Sequence, residues 1–142
     1  MIRLQNVCKN YGGSPALSNI NLHIGLGEFA FLVGPSGAGK STLMRLLYRE
    51  EVPTSGNVLI SGVNLNRLSK GQIPLLRRRL GIIFQDFKLL NSQTVFNNVA
   101  YVLRALGVDE REVNKRVSSA LAVVGLEHKR DSYPTELSGG EQ

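Results

Sequence analysis

Gly34-Pro35-Ser36-Gly37-Ala38-Gly39-Lys40-Ser41 fits the spacing Gly, four residues, Gly, Lys, then Ser or Thr. Glycines let a backbone curl until successive N–H groups converge, the arrangement that binds phosphate oxygens. A nearly continuous apolar run, Glu28-Phe29-Ala30-Phe31-Leu32-Val33, precedes the segment and reads as a fully buried parallel strand. Lys40 to Tyr48 follows it, with Leu43, Leu46 and Leu47 at helical spacing. A helix starting there adds about half a positive charge where the loop ends. Strand, glycine-rich turn and helix together predict a phosphate-binding loop. In such a loop Lys40 reaches the β- and γ-phosphates and the Ser41 hydroxyl holds Mg²⁺.

Working outward, Ile2 to Val7 alternates apolar and polar residues, and Ile20 to Ile24 repeats the pattern, so both read as half-buried strands. Tyr11-Gly12-Gly13-Ser14-Pro15 between them reads as a loop. Val58 to Ile60 with Gly62 predicts another strand and turn. Ser69 to Leu80 predicts a helix capped by Ser69 and weakened by Pro74, with Arg77 to Arg79 on a solvated face. Gly81-Ile82-Ile83-Phe84 is a second candidate for a buried strand. Beyond it the pattern turns helical. Val95, Val99, Val102, Leu103 and Leu106 form one packing stripe, and Val113, Val117, Ala120, Leu121 and Val124 form another. Gly107 and Gly125 stand where helix C-caps need them. The expected organisation is an α/β core over 1–88 and a helical part over 89–142.

At 142 residues the chain suits one domain, and 42% apolar content rules out disorder, collagen and a disulfide scaffold. Seventeen Lys and Arg against 11 Asp and Glu give a net charge of +6, compatible with nucleic acid, an anionic membrane surface or a phosphorylated ligand. The lone Cys8 has no internal disulfide partner and reads as a small buried strand residue. His23 and His128 read as a strand and a loop residue without chemistry. The N-terminus has no signal-peptide pattern, and no apolar run approaches the ~18 residues of a spanning helix. Soluble and cytosolic is the resulting expectation, with any membrane link made through a partner.

Leu137-Ser138-Gly139-Gly140-Glu141-Gln142 closes the chain. Ser138 can cap a helix, Glu141 three residues on completes a capping box, and Gly139 and Gly140 leave the backbone open. From the residues alone this is either a second phosphate-ready helix start or simply a well-capped helix.

The phosphate loop and the Leu-Ser-Gly-Gly-Glu run, in this order and about a hundred residues apart, resemble the nucleotide-binding domain of an ABC ATPase. The resemblance implies a P-loop NTPase core with an antiparallel β part and the start of a helical subdomain. It implies ATP and Mg²⁺ as ligands, with Gly34, Pro35, Ser36, Gly37, Ala38, Gly39, Lys40, Ser41 and Thr42 around the phosphates. Tyr11 matches the aromatic residue that stacks on adenine in the family. Gln85 matches the glutamine that touches Mg²⁺ and the attacking water, so Lys40 and Gln85 are the implied catalytic residues and Ser41 and Gln85 the metal contacts. In the family two domains face head to tail, so Ser138, Gly139 and Gly140 of one copy would close on the nucleotide of the other. A homodimeric ATP sandwich is thus expected, with an integral membrane subunit docked after Gln85 near Phe87, Leu89 and Leu90. The implied location is peripheral, on the cytoplasmic face of a bacterial inner membrane.

Leu46 to Glu51, Pro53 to Gly56, Ile73 to Arg79, Phe84 to Leu90 and Thr94 to Ala100 resemble the cell-division branch of that family. Lipoprotein-releasing and macrolide-type exporter branches share the motifs but fit Tyr48 to Glu51 and Arg77 to Arg79 less well. Members acting on DNA insert long coiled coils, whereas only about 50 residues separate Gln85 from Ser138 without sustained heptads, and no nucleic-acid partner is expected. The family pattern continues beyond the signature with an Asp-Glu strand end and a switch histidine. The chain therefore reads as the first part of a longer protein, expected to hydrolyse little ATP by itself and to leave apolar strand edges uncovered.

Overall fold

Leu4 and Val7 both point into the core from β1 (Ile2–Tyr11), although they are three residues apart. Simple alternation would send them to opposite faces. Asn6, with φ +49°, supplies the correction: the pairing with both neighbours shifts register around it, and the inward face is restored at Val7. β2 (Ser14–Ile24) pairs antiparallel with one edge of β1, and β3 (Ser55–Ile60) with the other; β4 (Val63–Asn64) adds an outer strand to give the order β2-β1-β3-β4. Against this sheet lies α1 (Lys40–Leu47), which contributes Leu43 and Leu46 to a core with Leu4, Val7, Leu17, Val58 and Leu65. The computed structural model describes all 142 residues and divides them into two units, Met1–Ile82 and Ile83–Gln142.

The bulge in β1 is matched by a glycine across the sheet. Gly56 has φ +83°, and a Cβ there would stand 2.3 Å from the Asn6 carbonyl oxygen and 2.5 Å from that of Gln5. Only hydrogen fits that space.

Beyond α1 the chain turns through Arg49, at φ +60°, and the Glu50 and Glu51 amides donate to the Arg45 carbonyl (2.9 and 3.2 Å). A 3₁₀ turn at Lys70–Gln72 leads into the short α2 (Ile73–Arg77). The helix expected over 69–80 is therefore much shorter, though its cap is as expected: Ser69 and Gln72 form a capping box, and Pro74 sits in the first turn where its missing N–H costs nothing. Arg77 does not belong to a purely solvated face. Its Nε donates to the Tyr48 carbonyl (3.0 Å) and its Nη2 to that of Arg49 (3.3 Å), so it satisfies carbonyls left over at the end of α1.

Three expectations of local structure are overturned. The loop between β1 and β2 is only Gly12 and Gly13 (φ +56° and +107°), because Tyr11 pairs with Ser14 and Asn10 with Pro15. Glu28 to Val33 and Gly81 to Phe84 are not buried strands: Phe29 and Phe31 are each 81% exposed and Ile83 is 97% exposed. A strand needs a hydrogen-bonding neighbour as well as apolar side chains, and none of the four strands lies beside either run. Cys8 is half-buried, its sulfur accepting the Asn19 N–H at 3.2 Å.

The second unit pairs α3 (Val95–Ala105) with α4 (Glu110–Val123). Thr94 caps the first by accepting the Asn97 N–H, and Asp109 caps the second by accepting that of Arg111. Val95, Phe96, Ala100, Val113, Val117, Leu121 and Leu137 form its core. The expected stripe is met in α4 at Val113, Val117 and Leu121, though Ala120 and Val124 are exposed. In α3 it is not: Val99, Val102 and Leu106 are exposed, and Phe96 and Ala100 fill the core beside Val95 instead. Gly107 and Gly125, at φ +74° and +72°, end the two helices as expected. Arg130 stacks over Phe96 (4.2 Å to the ring centre) and donates to Asn114 Oδ1 at 3.0 Å. No helix is long and apolar enough to cross a membrane.

Two substitutions separate steric from electrostatic support in the first unit. Gly56→Ala should destabilise it by about 3 kcal/mol, because backbone must move to admit the methyl at a positive φ. Arg77→Ala should cost only about 1 kcal/mol, the value of an exposed hydrogen bond to a carbonyl. Urea denaturation of the two variants checks the ordering; equal losses would contradict it.

Candidate functional site

Gly39 anchors the phosphate-loop segment. It stands at φ +86° immediately before α1, and a Cβ there would meet the Ala16 carbonyl oxygen at 2.4 Å and Leu17 Cδ2 at 2.9 Å. The end of the loop is thus pressed against β2, and no other residue fits. Gly37, at φ +79°, turns the chain once more, and the Ala38 N–H closes on the Pro35 carbonyl at 3.3 Å. Lys40 folds back over the loop: its ammonium donates to the carbonyls of Gly34 and Pro35, each at 2.7 Å.

The start of α1 differs from those of α3 and α4. It alone of the three has no side-chain cap, and like α3 it has no acidic residue in its first turn. The amides of its first turn, unlike those capped by Thr94 and Asp109, are left for an external acceptor. Gly34 to Ala38 and Ser41 are exposed, while Gly39, Lys40 and Thr42 are half-buried. An ammonium, uncapped amides and two hydroxyls make a donor set suited to a polyanion rich in oxygen. No group of three or more His, Cys, Asp or Glu side chains gathers to hold a metal. A Mg²⁺ ion that keeps its waters and takes phosphate oxygens needs only one or two protein oxygens, so the Ser41 hydroxyl remains a fitting contact.

Tyr11 ends β1 beside the two-glycine turn and is 42% exposed. Lys9, two residues earlier, pairs with Leu17, the neighbour of the Ala16 carbonyl that faces Gly39. The register of one hairpin therefore fixes Tyr11 relative to the loop. Lys9 and Glu51 escaped the sequence reading. The Lys9 ammonium lies 4.9 Å from the centre of the Tyr11 ring and 2.6 Å from Glu51 Oε2. Its signal was weak, since only strand periodicity puts positions 9 and 11 on one face, and nothing local points to position 51.

Gln85 and the signature residues belong to the second unit. Gln85 is exposed and precedes Phe87 and Lys88, both at positive φ (+52° and +56°). Lys88 pairs with Asp86 at 2.5 Å and holds that carboxyl below the usual aspartate range. Asn98 fastens the following segment to α3 by accepting the Leu90 N–H (2.8 Å) and donating to the Leu90 carbonyl (3.1 Å). Phe87 and Leu90 are exposed and Leu89 is half-buried. His23 and His128 are exposed, the first on β2 and the second in a 3₁₀ turn.

Around Ser138 the capping box is fully formed. Glu141 Oε2 accepts both the Ser138 N–H (2.8 Å) and its hydroxyl (2.7 Å), and the Glu141 N–H turns back to the hydroxyl oxygen at 3.4 Å. These bonds, hydroxyl first, hold the Glu141 carboxyl below its ordinary range. Gln142 Nε2 ties the turn to the carbonyls of Pro134 and Leu137 at 2.9 and 3.1 Å. Ser138, Gly139 and Gly140 are exposed, and a Cβ at either glycine would meet nothing within 4 Å.

Residues 17–142 match the family described as ABC transporter. Over its whole length the chain is 47% identical to the cell division ATP-binding protein FtsE of Streptococcus pneumoniae (serotype 2, strain D39), of which it covers 62%. It is 48% identical to the FtsE of Bacillus subtilis (strain 168), covering 63%, and 47% identical to that of Escherichia coli (strain K12), covering 64%. The chain thus spans under two thirds of the length of these relatives. Among solved structures, the ATP-binding cassette MJ0796, in a dimeric post-hydrolysis state bound to ADP and Pi, superposes with a TM-score of 0.86 at 35% identity over 99% of this chain and 65% of its own. A second dimeric structure of MJ0796, a bacterial ABC transporter cassette, gives 0.87 at 36% identity, again over 99% and 65%. With the phosphate loop, the signature turn and the fold all in agreement, the chain belongs to the ABC transporter family.

Proposed function

We propose that the chain is the ATP-binding part of an FtsE-like subunit, which couples ATP binding and hydrolysis to a membrane partner in bacterial cell division. The observation that carries this reading is the Lys40 ammonium folded over the Gly34 and Pro35 carbonyls at the uncapped start of α1. Identity of 47–49% to FtsE proteins over the full chain supports the branch. The triphosphate would lie along Gly34 to Thr42, with Lys40 on the β- and γ-phosphates and first-turn amides completing the cradle. Mg²⁺, when bound, supplies charge neutralisation on the phosphates, with the Ser41 hydroxyl as a protein contact. The adenine would stack on Tyr11.

Two copies would close head to tail, so that Ser138, Gly139 and Gly140 of one cover the γ-phosphate held by the other. The dimeric cassette structures support such an arrangement. The Ser138 hydroxyl donates to Glu141 Oε2 and accepts the Glu141 N–H, so a phosphate held by the other copy would compete with that carboxylate for the hydroxyl hydrogen. Gln85, Phe87, Leu89 and Leu90 would meet an FtsX-like integral membrane subunit, which holds the protein peripherally on the cytoplasmic face. Gln85 would link nucleotide state to that contact. Hydrolysis is assigned to the full-length protein, the relatives being longer than this chain. No nucleic acid enters the proposal.

Calorimetric titration of the full-length protein with ATP·Mg²⁺ tests the reading. Lys40→Ala should abolish measurable binding, and Tyr11→Ala should weaken it about tenfold or more, the value of stacking one base. Unchanged affinity on loss of the Lys40 amine would overturn the proposal, and salt-sensitive DNA binding would favour a soluble DNA-acting member.

The Ser138–Glu141 box also has a pH signature. A carboxyl whose folded pKa is lowered contributes its stability at neutral pH and loses it only as pH falls through the lowered value. The Ser138 amide resonance should therefore titrate with a midpoint below that of an ordinary exposed glutamate. A midpoint at or above the ordinary value would show that the box does not persist in solution.

A further inference from the structure

Resting on the reading of Tyr11 as the base-stacking residue, we propose that Lys9 and Glu51 form a positioning clamp. It occupies one face of the Tyr11 ring and presents the other, at a fixed distance from the phosphate loop, to the nucleobase.

The geometry uses every donor of one ammonium. Lys9 Nζ donates to Glu51 Oε2 at 2.6 Å and to the Val52 carbonyl at 2.9 Å, and it lies 4.9 Å from the centre of the Tyr11 ring. An ammonium has three N–H groups, so two bonds leave one for the π-face. Its hydrogen bond from Lys9, the largest influence on it, holds the Glu51 carboxyl below the ordinary glutamate range. The cation over the ring face is thus itself held in place by a carboxylate and a backbone carbonyl. The Lys9 side chain is 13% exposed and that of Glu51 28%, so water competes weakly for the pair, while Tyr11 keeps a large exposed surface.

The clamp is anchored to the phosphate-binding element. Glu51 follows α1 directly, and its amide donates to the Arg45 carbonyl at the end of that helix (3.2 Å). The segment beyond it is laced to β1: the Thr54 N–H donates to the Cys8 carbonyl at 2.8 Å and the Asn10 N–H to Thr54 Oγ1 at 3.0 Å. One end of α1 therefore begins at the phosphate loop, and the other holds the ring. A cation beneath one face also draws electron density from the ring, which favours stacking of an electron-rich purine on the opposite face.

The test compares ATP with inorganic tripolyphosphate, each binding to the full-length protein with Mg²⁺. Lys9→Met keeps the aliphatic stem and removes the charge. It should weaken ATP binding about three- to tenfold while leaving tripolyphosphate affinity unchanged, and Lys9→Arg should restore most of the loss. Glu51→Gln should show part of the same ATP-specific loss, since it removes the carboxylate charge that holds the Lys9 ammonium over the ring. In a Tyr11→Ala background Lys9→Met should have no further effect on ATP. Equal weakening of both ligands by Lys9→Met, or none, overturns the clamp while leaving the nucleotide reading intact. Failure of the unsubstituted protein to bind ATP overturns that reading instead. A thermal scan of each variant identifies loss of fold, in which case Glu51→Gln and Lys9→Arg decide the matter.

Discussion

The Ala16 carbonyl oxygen occupies the space that a side chain at position 39 would need. That single approach joins the glycine-rich loop to the β1–β2 hairpin, and most of the chemistry in the first unit depends on it. It fixes where α1 begins and hence where its uncapped amides point. Because Ala16 belongs to the strand paired with β1, it also fixes the loop against the strand that ends in Tyr11. The requirement for glycine at position 39 is therefore both conformational and steric: φ is positive, and the neighbouring atom is backbone that cannot swing aside.

Contacts of quite different strength hold this frame. The core of Leu4, Val7, Leu17, Leu43, Leu46, Val58 and Leu65 supplies the bulk of the cohesion, and it is small. Polar contacts then set details that apolar packing leaves free. Arg77 gathers carbonyls at the end of α1, and Arg49, just beyond that end, donates to the Leu65 carbonyl at 2.9 Å and so ties the helix terminus to a core residue. In the second unit Arg130 plays a comparable part, with one face on Phe96, Nη2 on Asn114 Oδ1 and Nη1 on Ser118 Oγ. Each is exposed or half-buried, and each works by geometry more than by net charge.

Much of this was legible in the sequence where the determinants are local. The helix after the glycine-rich loop, the inward positions Val113, Val117 and Leu121 of α4 and the glycines that end α3 and α4 depend on residues within a few positions of one another. The capping boxes at Ser69 and Ser138 were equally visible. What escaped depends on partners far along the chain. Tyr11, Ser14 and Pro15 carry turn-forming neighbours, yet pairing across two glycines draws them into strands. Phe29, Phe31 and Ile83 are exposed, as the expectation of uncovered apolar edges has it, but with no strand beside them the two runs do not form strands at all, which their composition alone could not report. Arg77 looked solvated because nothing in its own helix shows that it reaches back to Tyr48, and Lys9 gave no hint of Glu51 for the same reason.

The two bare hydrocarbon stretches have a practical side. Phe29 and Phe31 meet edge to face, with ring centres 4.8 Å apart, and mainly shelter each other. Greasy and with no strand beside them, such segments favour joining a like segment of another molecule over staying in water. Handling of these 142 residues would then be governed by stickiness: recovery would fall with concentration, and mild detergent would improve it even where the folded core is sound.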